Sequence, residues 1–543
     1  MLFRSVPQPW LPPLKERLTL EELEPINYQA EWEKGQSDLN LLIGLADMPQ
    51  KQAQEVAHIN LTRDGNILLY GSPGTGKTTF LQSAAMDLAR KHSPKDLTLY
   101  LLDFGTNGLA PLSKLPQVAD TMLLDQTEKV AKFVRIMESE LNRRKKLLSE
   151  YGVGTIALYR EASGKEEPAI VVMLDSFEAV KEEAFGEAVF QLLVKLSREG
   201  LSLGIHVIMT ASRQNNIRVT LYSNFKHQLT LKQNDLTEAK SIVGSSNDPL
   251  VKLMEDIKGR ALMKREELNS VQLALPVSGE NDIQVINKLR QEVVSLQEAW
   301  TGQRPSAIPM VPEELTEADF YSRASVQAAY ESGLLPLGLD METVEAVTWN
   351  LAKGNLLYLT EKEEQMTEFL EQIARSRQKV IVIAPQYHRL PTMSGVTILS
   401  DPKDYLEGLE TILDRIDKRF REHEREHVAT VVVYNLRELL ESLSQEAMNL
   451  LAEVLEKGLR GGYGSIVMSD PLTTKDMDVV SKATKTFKQG ILGVRTIDQV
   501  TLTIQNKPVK EGPLEAQNHY YVADSRARLI KVLMNYQDRK SVV

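Results

Sequence analysis

Short runs of Ile, Leu and Val alternate along the chain with longer amphipathic stretches, the pattern of strands threaded through helices. The short runs at 65–70, 97–102, 169–174, 204–210 and 225–231 are the candidate strands. Segments 77–91, 126–150, 185–199 and 282–297 carry helical spacing and predict helices. Strand–helix alternation of this kind points to an α/β fold with a parallel-core sheet flanked by helices on both faces. After 282–297 the chain enters a stretch where Pro305, Pro309 and Pro312 oppose any regular element, so a domain boundary falls there. Pro7, Pro9, Pro12 and Pro13 give the N-terminus the same linker character. The expected organisation is a linker over 1–30, an α/β domain over 31–300, a Pro-rich linker over 301–318 and a second α/β domain over 319–543.

The second half repeats the first. Residues 65–70 align without gaps on 354–359, and the same register brings Phe80 and Leu81 onto Phe369 and Leu370. Lead-ins correspond as well, 42–45 with 337–340, and 169–178 matches 429–438 in pattern. Tandem duplication accounts for this better than chance likeness between two α/β domains, and the long period excludes a solenoid.

The candidate chemistry sits after the first of these strands. Gly71-Ser72-Pro73-Gly74-Thr75-Gly76-Lys77-Thr78-Thr79 is a complete Gly-x-x-x-x-Gly-Lys-[Ser/Thr] motif that follows an apolar strand and opens a helix. Its glycines let the loop curl so that backbone N–H groups face a phosphate, Lys77 reaches the β and γ oxygens, and the Thr78 hydroxyl is placed to ligate Mg²⁺. ATP and Mg²⁺ are therefore the expected cofactors. A second magnesium-organising carboxylate is needed at a neighbouring strand tip, and Asp175 supplies it at the end of 169–175. The next position, where many hydrolysing relatives of this class place a glutamate to polarise water, holds Ser176, a poor base. Glu178 is the candidate substitute, although a strand-to-loop turn is expected to displace it. Thr210, at the end of its strand, is a candidate γ-phosphate sensor, with Ser212 and Arg213 following it. Arg198, or one of Arg143 and Arg144, is a candidate arginine finger, with a solvated helix face as the competing reading, and His206 reads as a core histidine. Asp103-Phe104-Gly105 spells a kinase-like tripeptide, but no His-Arg-Asp motif precedes it.

The second copy has lost this chemistry. In the ungapped register Gly71 becomes Thr360, Gly76 becomes Gln365 and Lys77 becomes Met366, while Asn435 takes the place of Asp175. Glu361, Glu363 and Glu364 fill the loop and would repel a triphosphate. Nucleotide binding is expected in the first domain only, with slow or absent hydrolysis.

Composition narrows the alternatives. Acidic residues outnumber basic ones 74 to 64, a net charge of −10, which argues against a surface built for nucleic acid or anionic lipid. Cysteine is absent, which excludes disulfides and thiolate chemistry. The 8 histidines are scattered and leave little for a zinc site. No apolar run reaches the length of a membrane-spanning helix, so the sequence is expected to fold as a soluble intracellular polypeptide, with any anchor outside it.

An intact P-loop domain joined to a degenerate copy, with Leu101-Leu102-Asp103-Phe104-Gly105 and Gly200-Leu201-Ser202-Leu203-Gly204-Ile205-His206, resembles the FtsK/SpoIIIE-type ATPases, RecA-like P-loop NTPases. Within them it is similar to the tandem ATPase domains of the type VII secretion motors, over nearly the whole chain. That resemblance implies the cytoplasmic portion of a bacterial membrane protein, with a further ATPase domain and membrane-spanning helices upstream. It also implies secreted helical-hairpin proteins with a Trp-x-Gly turn as substrates, other type VII secretion components as partners, and a homo-hexamer as a candidate assembly of the full-length protein. A DNA translocase of the same fold is the competing reading; the negative charge and the absence of a basic winged-helix module stand against it, and DNA is not an expected partner.

Overall fold

The computed structural model describes residues 11–534 apart from 36–37, 245–247, 253, 351, 377, 387, 389 and 476, and the chain divides into two units between Ile308 and Pro309. In the first unit the strands are β1 (Asn40–Met48), β2 (Ala53–Asn60), β3 (Ile67–Tyr70), β4 (Leu97–Asp103), β5 (Val118–Leu123), β6 (Ala169–Asp175), β7 (Ile205–Ala211), β8 (His227–Thr230), β9 (Arg260–Lys264) and β10 (Leu268–Leu273). They form one 10-stranded sheet in the order β2-β1-β10-β9-β8-β3-β7-β6-β4-β5. From β8 to β5 neighbouring strands run parallel; β9, β10, β1 and β2 extend the sheet antiparallel. The parallel strands β3, β6 and β7 are buried at every position, which is why they read as largely apolar runs broken only by His206, Thr210 and the terminal Asp175. Leu81, Ala85 and Leu88 of the helix Lys77–Lys91 pack with Leu69, Val171 and Ile208 of the sheet and with Leu289 and Val293 of the helix Asp282–Ala299.

The N-terminal segment is more than a linker. Leu14, Leu18 and Leu20 are buried, and Thr19 and Glu22 form a capping box that starts the short helix Leu20–Leu23. Leu275 N–H donates to Leu18 O at 2.7 Å, and Leu20 N–H to Leu275 O at 3.1 Å, tying this segment to the chain just past β10. Pro residues stop it from being a regular strand, but its leucines still belong to the core.

The second unit contains β11 (Leu335–Asp340), β12 (Ala346–Trp349), β13 (Leu356–Leu359), β14 (Val380–Ile383), β15 (Val396–Leu399), β16 (Ala429–Val433), β17 (Tyr463–Ser469), β18 (Gln489–Leu492), β19 (Asn518–Ala523) and β20 (Arg526–Lys531). Its 10-stranded sheet runs β12-β11-β20-β19-β18-β13-β17-β16-β14-β15, the order of the first sheet with every label advanced by the same amount. The segment that leads into it is also anchored, though to a different place: Leu315 is fully buried, and its backbone exchanges hydrogen bonds with the Gln517 side-chain amide, just before β19, at 2.8 and 3.0 Å. Two units with one strand order are the structural expression of the repeat in the sequence.

Strand registers correct one detail of that repeat. Ile67 lies beside Ile208, which lies beside Met173; Leu356 lies beside Ile466, which lies beside Val432. With Ile67 matched to Leu356, Asp175 falls on Tyr434 and Ser176 on Asn435. The latter two share a left-handed backbone, with φ of 63° and 48°. Asn435 therefore replaces Ser176, and Tyr434 replaces Asp175. An ungapped comparison slipped by one residue here because both copies are featureless valine-rich runs up to that point.

Candidate functional site

The loop between β3 and the helix Lys77–Lys91 is held from three sides. Gly71 N–H donates to Ala211 O at 3.1 Å, Ser72 N–H to Lys232 O at 3.0 Å, and Gly259 N–H to Thr75 O at 2.9 Å. Its curl passes through Gly74 and Gly76, with φ of 80° and 113°, values that a Cβ opposes. The Lys77 ammonium turns back into the loop and donates to Gly71 O at 2.7 Å and Ser72 O at 3.2 Å. Burial lowers the pKa of this amine, and the carboxylates of Glu178 and Asp175 oppose that shift.

Asp175 ends β6 fully buried, and both its oxygens are engaged. Thr78 Oγ1, from the first turn of the helix, donates to Oδ2 at 2.7 Å, and Thr210 Oγ1, from β7, donates to Oδ1 at 2.6 Å. Ser176 N–H in turn donates to Thr210 Oγ1 at 3.0 Å. Sequence reasoning therefore chose three residues that the fold joins in one hydrogen-bonded chain. Glu178 also reaches the site: its Oε2 accepts from Ser212 N–H at 3.1 Å, and its charge acts on Lys77. Between Asp175 and Glu178, Ser176 has a left-handed backbone, with φ of 63°.

Asp103 lies beside Asp175 on β4, and its carboxyl is pushed up by burial and further by the Asp175 charge. It accepts Leu109 N–H at 2.7 Å and so fixes the segment 104–109. Within that segment Gly108 backs onto Thr78 so closely that a Cβ there would lie 2.3 Å from the Thr78 methyl. The tripeptide Asp103-Phe104-Gly105 is visible in the sequence, but its tie to this site is not, because Asp175 and Thr78, which Asp103 and Gly108 meet, lie far away along the chain.

The arginines fare differently. Arg144 is buried and donates to Glu140, Leu203 O and Pro168 O at 2.6, 2.7 and 2.8 Å, so it is a structural residue and not a finger. Arg143 is clamped between Glu140 and Glu167. Arg213 is half-exposed and pairs with Glu238 at 3.6 Å, and Arg198 is exposed beside Glu199. His206 is a core histidine, its pKa driven down to about 3 by burial and by the Arg144 charge.

Beside the loop opens a cavity of about 570 Å³, lined among others by Thr78, Thr79, Lys258, Leu275, Asp282 and Val285. Its walls come from opposite ends of the first unit, which leaves no local signal in the sequence. In the second unit the corresponding loop is plugged. Thr360 Oγ1 bonds the Gln365 side chain, and Met366 is buried among Tyr358, Phe369 and Ile491.

A curled glycine loop at a strand-to-helix junction, with the helix threonine leaning on the carboxylate of a parallel strand nearby, is the framework of the P-loop NTPases. Here two α/β domains of that class stand in tandem. The chain belongs to the FtsK/SpoIIIE family, whose sequence profile matches residues 23–305. It is 37% identical over 340 residues to the type VII secretion system protein EssC of Staphylococcus aureus (strain MSSA476), a match covering 63% of this chain and 23% of that protein. The matched portion thus covers under a quarter of that relative, and a match to EssC of strain MRSA252 over 97% of this chain covers 36% of that protein. ATPases 2 and 3 of EssC from Geobacillus thermodenitrificans superpose with a TM-score of 0.86 at 28% identity, covering 96% of this chain and 100% of that one. ATPases 2 and 3 of EccC from Thermomonospora curvata, solved in complex with a signal sequence peptide, share the fold with a TM-score of 0.63 at 21% identity, covering 97% of this chain and 99% of that one.

Among the described residues no helix is long and apolar enough to cross a membrane.

Proposed function

We propose that this chain is the ATP-binding part of a type VII secretion motor, holding one nucleotide in its first unit and recognising exported proteins. The reading rests above all on the chain Thr78–Asp175–Thr210, set 2.7 and 2.6 Å apart beside the Lys77 loop. The residues fit ATP with Mg²⁺: Gly71, Ser72, Pro73, Gly74, Thr75, Gly76 and Thr79 form the cradle, Lys77 exchanges its two carbonyl partners for phosphate oxygens, and Thr78 and Asp175 hold the ion. The bound dication neutralises phosphate charge. The neighbouring cavity of about 570 Å³ takes the nucleoside, within the usual range for such pockets.

Turnover is slow in this reading. Ser176 offers no general base, and Glu178 is engaged by the Ser212 backbone and faces Lys77. Thr210 acts as the phosphate sensor through its bond to Asp175, and Arg213 sits on the loop that follows. ATP then serves to lock the first unit's packing more than to drive a stroke. Substrates are small helical-hairpin proteins carrying an export signal. The chain is the cytoplasmic portion of a membrane protein that works with other type VII components, as a hexamer at full length. The EssC and EccC relatives and the signal-peptide complex of the Thermomonospora protein support this assignment.

Calorimetry of the chain with ATP–Mg²⁺, paired with a phosphate-release assay on the same sample, tests the proposal. One nucleotide per chain is expected, abolished by Lys77→Ala and unchanged by Met366→Ala. Two nucleotides per chain, or binding that survives Lys77→Ala, would refute it.

A further inference from the structure

We propose that the second unit binds a divalent transition-metal ion, Zn²⁺ by the chemistry of its donors, through Glu363, His388 and Glu438. Three separate segments bring these side chains together. Glu363 opens the helix Glu363–Ala374, His388 lies in the loop after β14, and Glu438 lies in the first turn of the helix Leu436–Ser442. His388 Nδ1 stands 3.0 Å from Glu363 Oε1, and Nε2 stands 2.8 Å from Glu438 Oε2. One ligand atom from each of the three residues lies within 4.8 Å of the others. Donors around a tetrahedral zinc with bonds of about 2.0–2.2 Å are separated by roughly 3.4 Å, so the ion takes one ring nitrogen and the carboxylate now at the other nitrogen has to swing across to close the set.

Two further observations point to a cation. The imidazole is pre-oriented: its side chain is only 17% exposed, and its ring meets the Tyr434 ring edge-on, with centroids 5.5 Å apart. The carboxylates, each about half exposed, are the adjustable partners. Charge also favours the ion, since two carboxylates converge on one imidazole that can carry at most a single positive charge, and a dication closes that balance. The place is telling as well. By the register of the two units, Glu363 stands where the first unit has Gly74 of its phosphate loop, and Tyr434 stands where it has Asp175. Nitrogen and oxygen donors have thus taken over the mouth of a lost phosphate cradle. One imidazole with two carboxylates suits Zn²⁺, whereas Mg²⁺ prefers an octahedral shell of oxygens. The scattered histidines of the sequence hid this set because its members are neighbours only in the fold.

The proposal stands independently of the nucleotide site, and the experiment keeps the two apart. Zn²⁺ is titrated into the whole chain by calorimetry without nucleotide, with the zinc absorption edge of crystals soaked in the same ion as a second readout. One saturable equivalent is expected, with anomalous density beside His388. His388→Ala and the isosteric Glu438→Gln should each weaken it about tenfold or more, while Lys77→Ala and His58→Ala leave it unchanged. Mg²⁺ should not compete at equal concentration. Affinity unaltered in both His388→Ala and Glu438→Gln, the absence of any saturable event, or equal competition by Mg²⁺ would overturn the assignment.

Discussion

Thr367 Oγ1 and the Tyr434 hydroxyl lie 2.7 Å apart in the second unit, in the places where Thr78 and Asp175 meet at 2.7 Å in the first. The repeat has kept the tie between helix and strand while exchanging its charged member for a phenol. Burial pushes that phenol up to about 12, so it is neutral at any physiological pH. The exchange of the charged residue therefore did not require loss of this contact.

Restoring the two missing charges should not restore the site. In the double variant Met366→Lys, Tyr434→Asp the loop still lacks the glycine curl, Thr360 still bonds Gln365, and Glu361, Glu363 and Glu364 still oppose phosphate. Calorimetry of this variant is expected to give the same single nucleotide as the parent chain. A second equivalent would show that only the lysine and the carboxylate had been missing.

Gly108 offers a test of Asp103 and its loop. In Gly108→Ala the new Cβ would stand 2.3 Å from the Thr78 methyl, so either Thr78 or the segment 104–109 must move. The variant is expected to unfold at nearly the parent's urea midpoint and to lose ten-fold or more in Mg²⁺-dependent ATP affinity. That ten-fold loss corresponds to about 1.4 kcal/mol. An unchanged affinity would mean that the loop yields freely and does not position the threonine.

The parallel strands and the phosphate loop were legible in the sequence because burial on both faces writes a largely apolar run, and the loop's chemistry is contiguous. The antiparallel extension was not, nor was the parallel edge strand β5. β9 and β10 are short hairpin arms that mix buried residues with an exposed Lys264, and β5 interleaves Asp120 and Thr121 with its apolar residues. Asp175, Thr78 and Thr210 could be named separately because each sits at a strand end or a helix start. The roles of Asp103 and Gly108, the cavity and the Glu363–His388–Glu438 set depend on approaches between distant segments. The substitution of Tyr434 for Asp175 lay one residue from where the ungapped reading put it, and only strand hydrogen bonding settles such a step.

Thr210 is fully buried, donates to Asp175 Oδ1 and accepts from Ser176 N–H. Thr210→Val keeps the shape and removes both bonds, leaving a backbone N–H and a carboxylate oxygen without their partner. The expected cost is about 1–3 kcal/mol in urea unfolding of the first unit, and Thr210→Ser should recover most of it. Stability equal to the parent would show that water or a neighbour takes over the hydroxyl's role.

The two units each carry a buried histidine whose protonation opposes folding. Burial is the main cause in both: His206 is driven down to about 3 and His519, whose Nε2 meets the Tyr358 hydroxyl at 3.1 Å, to about 4. In the unfolded chain both would titrate near 6.5. As pH falls through 6.5 the unfolded chain takes up these protons while the folded chain does not, so the folded state loses stability. The loss continues until the folded values near 4 and 3 are reached, and above pH 7 the contribution is constant. Each histidine should add a slope of about 1.4 kcal/mol per pH unit well inside that window. Urea unfolding followed from pH 7.5 to 4.5 measures it, and the difference between the parent and His519→Asn isolates the second unit from the titration of carboxylates. A slope unaltered by that substitution would mean that His519 is protonated in the folded protein.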